Sequence, residues 1–165
     1  MIVRQLTADD LAAYRALHRF ALTESPLAFV ETPRNDEARA DSVVRDMLER
    51  GEGWGVFDAG RLVGKLVIDA LPYDCLAHTR WLHAVYVHPD GRGKGAGDAL
   101  LGAAIAHERE RGASRVALWV NDRNAAARRL YERSGFVETG RVPQGVKVGA
   151  EYADDVLMTL ALASL

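Results

Sequence analysis

Apolar and polar positions change rhythm several times along this chain, and the rhythm predicts its elements. Met1 to Gln5 reads as a short strand. Thr7-Ala8-Asp9-Asp10 is a helix start with acids in its first turn, and the helix runs to about Thr23. Leu11, Tyr14, Leu17, Ala21 and Leu22 fall near one face, with His18 on the same stripe. Glu24-Ser25-Pro26 breaks it. Residues 27 to 35 read as irregular, and Pro33 argues against a clean helix there. A second helix is expected roughly from Asp36 to Arg50, stopped by Gly51 and Gly53. Trp54 to Asp58 and Arg61 to Ala70 pair as strands around an Ala59-Gly60 turn. Pro72-Tyr73-Asp74 interrupts before a strand from Arg80 to His88. A third helix, about Asp98 to Arg111, turns Leu100, Leu101, Ala104 and Ile105 inward. Ser114 to Asn121 is a buried strand, Asn124 to Gly135 a fourth helix, and strands near Phe136 to Val142 and Tyr152 to Leu162 close the chain. The order β-α-α-β-β-β-α-β-α-β-β predicts a mixed α/β (α+β) fold, a twisted mixed sheet of about seven strands flanked by about four helices.

Composition narrows the class. A length of 165 residues suits one domain spanning 1–165, with no linker, repeat or low-complexity stretch. With 48% hydrophobic and 27% charged residues the chain reads as an ordinary soluble protein, and a net charge of −2 leaves no electrostatic footprint for nucleic acid. No apolar run reaches the length of a membrane span. Asp9 and Asp10 interrupt before any signal-peptide core could form. The one cysteine, Cys75, rules out an internal disulfide and suits a reducing cytoplasm. It is expected to be a small buried hydrophobe.

The chemistry concentrates after the strand that ends at His88-Pro89. Gly91, Gly93, Gly95 and Gly97, interleaved with Arg92 and Lys94, lead straight into a helix. Glycines let successive backbone N–H groups turn toward one point, and a helix start adds unpaired donors and a positive dipole. Together they cradle a phosphate or pyrophosphate. A Walker loop is excluded, because Gly93-Lys94 is followed by Gly95, which brings no hydroxyl for magnesium. The letters Gly91-x-Gly93-x-x-Ala96 fit a dinucleotide fingerprint, as of an oxidoreductase. That fingerprint belongs after a first strand with an acid about 20 residues on. Here it follows several strands, and the acids at that distance, Glu108 and Glu110, lie on the predicted helix.

Arg92-x-x-Gly95-x-Gly97 after Val-His-Pro resembles motif A of the GNAT superfamily of N-acetyltransferases. A second block agrees: Asn124 followed by Leu130-Tyr131-Glu132-Arg133-Ser134-Gly135-Phe136 is similar to that family's Asn…Leu-Tyr-x-x-x-Gly-Phe signature, and one helix and one strand separate the blocks, as in the family. The resemblance implies a GNAT-type fold and transfer of an acetyl group from acetyl-CoA, as cosubstrate, to a primary amine in a ternary complex. A non-catalytic acyl-CoA-binding module of the same fold is the alternative. Many family members pair as homodimers.

The resemblance also assigns residues. Val85 and Val87 would offer backbone groups to the pantetheine arm where the fourth and fifth strands splay, and an N–H there would polarise the thioester carbonyl. Arg92, Gly93, Lys94, Gly95, Ala96 and Gly97 would hold the pyrophosphate. Asn124 would bond the pantetheine amides, and Tyr131, seven residues on and on the same helix face, would protonate the leaving thiolate. Arg123, Arg128 and Arg129 are within reach of a 3′-phosphate or simply solvated. For the base there are Glu24 and Glu31, in the helix connection that borders the acceptor in the family, His83 on the fourth strand, or a water chain. His83 reads more readily as a buried or satisfied histidine than as the base. His78, His83 and His88, spaced by five, do not share a strand face and do not suggest a metal. Glu24, Glu31, Asp36 and Glu37 make that connection acidic and favour a cationic amine: an amino-acid-like metabolite, a polyamine, an aminoglycoside-type drug or a protein N-terminus. The segment from Gln144 to Glu151 is a further candidate lining.

Overall fold

The computed structural model describes residues 1–163. Among them, seven strands follow the hydrogen-bonded order β1-β2-β3-β4-β5-β7-β6, with five α-helices. The chain groups into two compact units: Met1–Ile68 with Ala84–Ala104, and Asp69–His83 with Ile105–Leu165. No helix among the described residues is long and apolar enough to cross a membrane.

The first unit opens with β1 (Ile2–Gln5), which pairs antiparallel with β2 (Gly53–Asp58). Asp10 accepts from the Thr7 amide at 2.8 Å and closes a single 3-10 turn, from which α1 (Leu11–Glu24) continues. Tyr14, Leu17, His18, Ala21 and Leu22 are buried along it, as the apolar stripe predicts, and Arg15 is buried with them.

The single second helix of the sequence reading is instead two, α2 (Pro33–Ala38) and α3 (Asp41–Glu49). Pro33 starts α2 rather than forbidding it, because a first helical position needs no N–H. Thr32 caps it through the Asn35 amide, and the Asn35 side chain accepts from the Thr32 amide at 2.9 Å. The break falls at Arg39 and Ala40, both extended. Its physical reason is the buried Arg15, which donates to the Arg39 carbonyl at 2.8 Å and to the Asp36 carboxylate at 2.7 Å. A continuous helix would keep that carbonyl for itself.

The hairpin from β2 to β3 (Arg61–Asp69) turns on Ala59 and Gly60, at φ +47° and +79°. Two successive positive φ values give the tight turn whose twist matches the strands. Leu6, Tyr14, Leu17, Ala21, Val44, Leu48, Leu62, Val67 and Tyr86 form the core of this unit. Tyr86 comes from the latter half of β4 (Thr79–Val87), after which α4 (Ala96–Glu110) begins with Leu100 and Leu101 fully buried.

The second unit holds the start of β4, which runs parallel to β5 (Arg115–Asn121) through Thr79↔Arg115, Arg80↔Val116 and Trp81↔Ala117. Next, β5 pairs antiparallel with β7 (Glu151–Ala161), and β7 with β6 (Val137–Val148). Val116, Leu118, Val120, Phe136, Val156 and Met158 are buried there. Between β5 and β6 lies α5 (Ala125–Arg133), which ends ahead of Gly135 at φ +92°. Cys75, expected inside, is exposed on a 3-10 turn, Asp74–Leu76. The Pro72-Tyr73-Asp74 interruption leaves that turn outside any strand, so its side chains have no sheet face to enter.

Candidate active site

The glycine loop has the backbone that its sequence predicts. Gly93 and Gly95 sit at φ +72° and +75°, on either side of Lys94, and Arg92 to Gly95 are exposed. Alternation of left-handed and ordinary residues turns successive N–H groups to one side, a nest for an anion. The first helical bond of α4 is Ala99 N–H to the Gly95 carbonyl at 2.9 Å. The amides of Ala96 and Gly97 precede it and have no intrahelical carbonyl to bond. A Cβ at Gly93 or Gly95 would meet open space, so these glycines are required by conformation, not by crowding.

The two basic side chains of the loop are turned to other work. Lys94 pairs with Asp58 at 3.1 Å. Arg92 donates through Nε to the Val87 carbonyl at 3.0 Å and grips Glu24 with both terminal nitrogens, at 3.1 and 2.9 Å. Its guanidinium lies 5.6 Å from the Tyr86 ring centre. The backbone nest, rather than these cations, is what the loop offers to an anion.

Glu24 therefore fares poorly as a base. Its carboxylate accepts from Arg92, from the Ser25 hydroxyl and from the Tyr86 hydroxyl at 2.8 Å. Those donors, Arg92 foremost, hold it at about 2, too weakly basic to take a proton from an ammonium. Burial, followed by this neighbouring carboxylate, pushes the Tyr86 phenol up. Glu31 is likewise engaged: it accepts from His18 Nε2 at 3.0 Å and pairs with Arg39 at 2.9 Å. Asp36 is fully enclosed by Arg15 and Arg19. Glu24, Glu31 and Asp36 of the acidic connection are thus each paired with arginines, while Glu37 is exposed.

On β4, Val85 and Val87 are half-buried on either side of buried Tyr86. Ala84 stands at φ +53°, a left-handed residue inside a strand, where the regular alternation breaks. The ladder to β5 runs from Thr79 to Trp81. His83, an exposed residue at the end of the second unit's share of β4, hydrogen-bonds Asp69 through Nε2 at 2.8 Å.

In the second unit, Asn124 is the cap of α5: its Oδ1 accepts from the Ala127 amide at 3.1 Å. Tyr131 lies in the last turn of the same helix, buried, with its ring 5.8 Å from that of Phe136. Burial alone pushes its phenol up, so the hydroxyl keeps its proton at neutral pH. Arg123 pairs with Glu151 and Arg128 with Glu138. The hairpin segment from Gln144 is anchored where Asp154 accepts from the Gln144 amide at 2.9 Å.

Sequence reasoning missed Lys65. It lies in the middle of β3, fully buried, with Nζ donating to the Ala84 carbonyl at 2.9 Å. It reads as an ordinary polar position in a strand; a lysine between Gly64 and the apolar run Leu66-Val67-Ile68 was the available signal.

Comparison with known proteins adds the family. Residues 14–136 match the acetyltransferase (GNAT) family. A stretch of 81 residues is 40% identical to L-amino acid N-acyltransferase MnaT of Escherichia coli K12, covering 48% of this chain and 46% of that protein. An L-methionine sulfoximine/L-methionine sulfone acetyltransferase of Pseudomonas aeruginosa is 30% identical over 97% of this chain and 94% of its own length. The chain thus spans about half of the first relative and nearly all of the second. In fold, it superposes on yncA of Salmonella typhimurium, solved with its cofactor acetyl-CoA, with a TM-score of 0.86 over 100% of this chain and 95% of that one, at 24% identity. The family match runs from within α1 through the glycine loop to Phe136, and on that extent the chain belongs to the acetyltransferase (GNAT) family.

Proposed function

We propose that the chain transfers the acetyl group of acetyl-CoA to the primary amine of an amino-acid-like acceptor, by direct attack in a ternary complex. The observation that carries the proposal is the nest at Gly93 and Gly95 running into the start of α4, which suits a pyrophosphate. Gly93, Gly95, Ala96 and Gly97 hold it through backbone N–H groups, while Arg92 and Lys94 fix the loop through Glu24 and Asp58. Val85 and Val87 give backbone groups to the pantetheine arm. Asn124, whose Oδ1 is committed to its helix, serves the pantetheine amides through Nδ2.

In the reaction, the amine nitrogen bonds to the thioester carbonyl carbon, and the C–S bond breaks. The sulfur leaves as thiolate and takes the phenolic proton of Tyr131. The nitrogen gives up its surplus proton to water or to His83, oriented by Asp69. The amino-acid class is supported by the names of two relatives, which act on L-amino acids and on methionine sulfoximine or sulfone. One cysteine, exposed and with no second to pair with, supports a cytoplasmic setting.

The test is thiol release from acetyl-CoA, followed with a chromogenic disulfide, against the L-amino acids, L-methionine sulfone, spermidine and kanamycin. Release with one or more α-amino acids and none with the polyamine or aminoglycoside is expected. Release only with the last two contradicts the acceptor class, and no release with any amine contradicts the activity.

A further inference from the structure

A lysine ammonium with no exposure to solvent is costly to keep, and this one is spent on a single backbone atom. Lys65 Nζ donates to the Ala84 carbonyl at 2.9 Å, and lies 4.9 Å from the Tyr14 ring centre and 5.8 Å from that of Phe29. Ala84 is the left-handed residue of β4. Its carbonyl and the Val85 N–H belong to one peptide unit. Such a unit is planar and trans, so the two groups point in opposite directions. Whatever holds the oxygen on one side fixes the aim of the hydrogen on the other.

We infer that Lys65 is a positioning residue for acetyl transfer: it pins the Ala84 carbonyl and so presents the Val85 N–H to the thioester carbonyl oxygen. This rests on the proposed use of β4 by acetyl-CoA. The cation contributes in a second way. A charged donor on a peptide oxygen draws electron density through the amide and makes its N–H a stronger donor. As the amine attacks, negative charge grows on the thioester oxygen, and a preaimed, strengthened N–H is worth most at that moment. The strained φ at Ala84 fits the same purpose, since an ordinary extended residue there would point that N–H elsewhere.

The surroundings suit a cation that is held but not over-stabilised. From α1 come the Tyr14 ring and His18, whose own protonation is disfavoured by burial and then by Lys65. From the connection to α2 come Glu31 and the Phe29 ring, and from α2 and its end Asp36 and Arg39. The two carboxylates favour the ammonium, Arg39 opposes it, and burial dominates, drawing Lys65 down to about 7.

The test uses acetyl-CoA carrying ¹³C at the carbonyl, with infrared difference spectra of the bound thioester. In the wild-type protein the carbonyl band moves to lower frequency on binding. In Lys65→Met, which keeps the length and fills the space, acetyl-CoA affinity stays within about threefold, most of the band shift is lost, and kcat falls about tenfold or more. A variant whose band shift and kcat both equal those of the wild type overturns the inference alone. A wild-type band that does not move on binding overturns both the inference and the reading of β4, and failure of the wild type to bind acetyl-CoA overturns the proposed function itself. Should Lys65→Met not fold, the wild-type Val85 amide resonance is followed from pH 6 to pH 9: a shift with its midpoint at the Lys65 titration, read from the Nζ resonance, supports the coupling, and a flat response overturns it.

Discussion

Two side chains with displaced proton affinities, buried Tyr131 and exposed Glu24, frame the chemistry, and they are displaced for different reasons. Tyr131 is raised by burial alone, with no neighbouring carboxylate to blame. Such a phenol keeps its proton at neutral pH, and the same burial raises the proton affinity of a thiolate departing beside it. Glu24 is lowered by three donors and holds no proton to give; it is better understood as the anchor of Arg92. Replacing Tyr131 with Phe deletes the proton and leaves the ring against Phe136. Steady-state kinetics should show kcat reduced about 100-fold. Calorimetry should show acetyl-CoA affinity within about threefold of the wild type. An unchanged kcat would remove Tyr131 from the acid role.

Loops and helix ends carry the proposed binding groups, so substitutions there separate stability from affinity. Gly95→Ala adds a Cβ that meets nothing, yet forces an L residue to hold φ +75°. That costs on the order of 1 kcal/mol in the nest conformation. Unfolding by denaturant should register that loss, and a titration should register weaker acetyl-CoA binding as the loop relaxes. Asn124 allows a cleaner division. Asn124→Asp keeps an oxygen for the Ala127 amide and places a negative charge at a helix N-terminus, so stability holds. It replaces the Nδ2 donor, so acetyl-CoA affinity falls about tenfold. Asn124→Ala, by contrast, loses about 1 kcal/mol of stability as well. Elements of this kind were legible because their signals are local. The positive φ of the Ala59-Gly60 turn, the glycine loop and the helix that ends before Gly135 each follow from residues a few positions apart. The break between α2 and α3 was not legible, since its cause is Arg15, over 20 positions back on another helix. The left-handed Ala84 and its lysine were hidden for the same reason: strand periodicity carries no record of which side chain will reach across to which carbonyl. The exposed Cys75 shows the complementary failure, a residue type usually found inside but placed on a turn that has no inside.

At the scale of the molecule, the cost of Lys65 should be visible in stability against pH. Its ordinary value is 10.5 and the fold lowers it to about 7. Below 7 the folded and unfolded chains both hold the proton, and the burial penalty is felt in full. Between 7 and 10.5 the unfolded chain binds more protons than the folded one, so the stability of the fold rises with pH. Buried tyrosines, raised in the fold, reverse that trend above about 10, so the clear window is pH 7 to 9. Denaturant unfolding across that window should show the wild type gaining stability and Lys65→Met nearly flat. A wild-type profile that falls from pH 7 to 9 would mean the ammonium is stabilised, not penalised, where it lies.

Acetyl-CoA as the ligand of the glycine loop underlies every proposed residue role, and calorimetric titration of the wild-type protein with acetyl-CoA, beside NAD and ATP, measures it. Saturable one-to-one binding of acetyl-CoA, with NAD giving no heat and ATP binding far more weakly, is the predicted result. An absence of acetyl-CoA binding, or binding of NAD with comparable affinity, would contradict it.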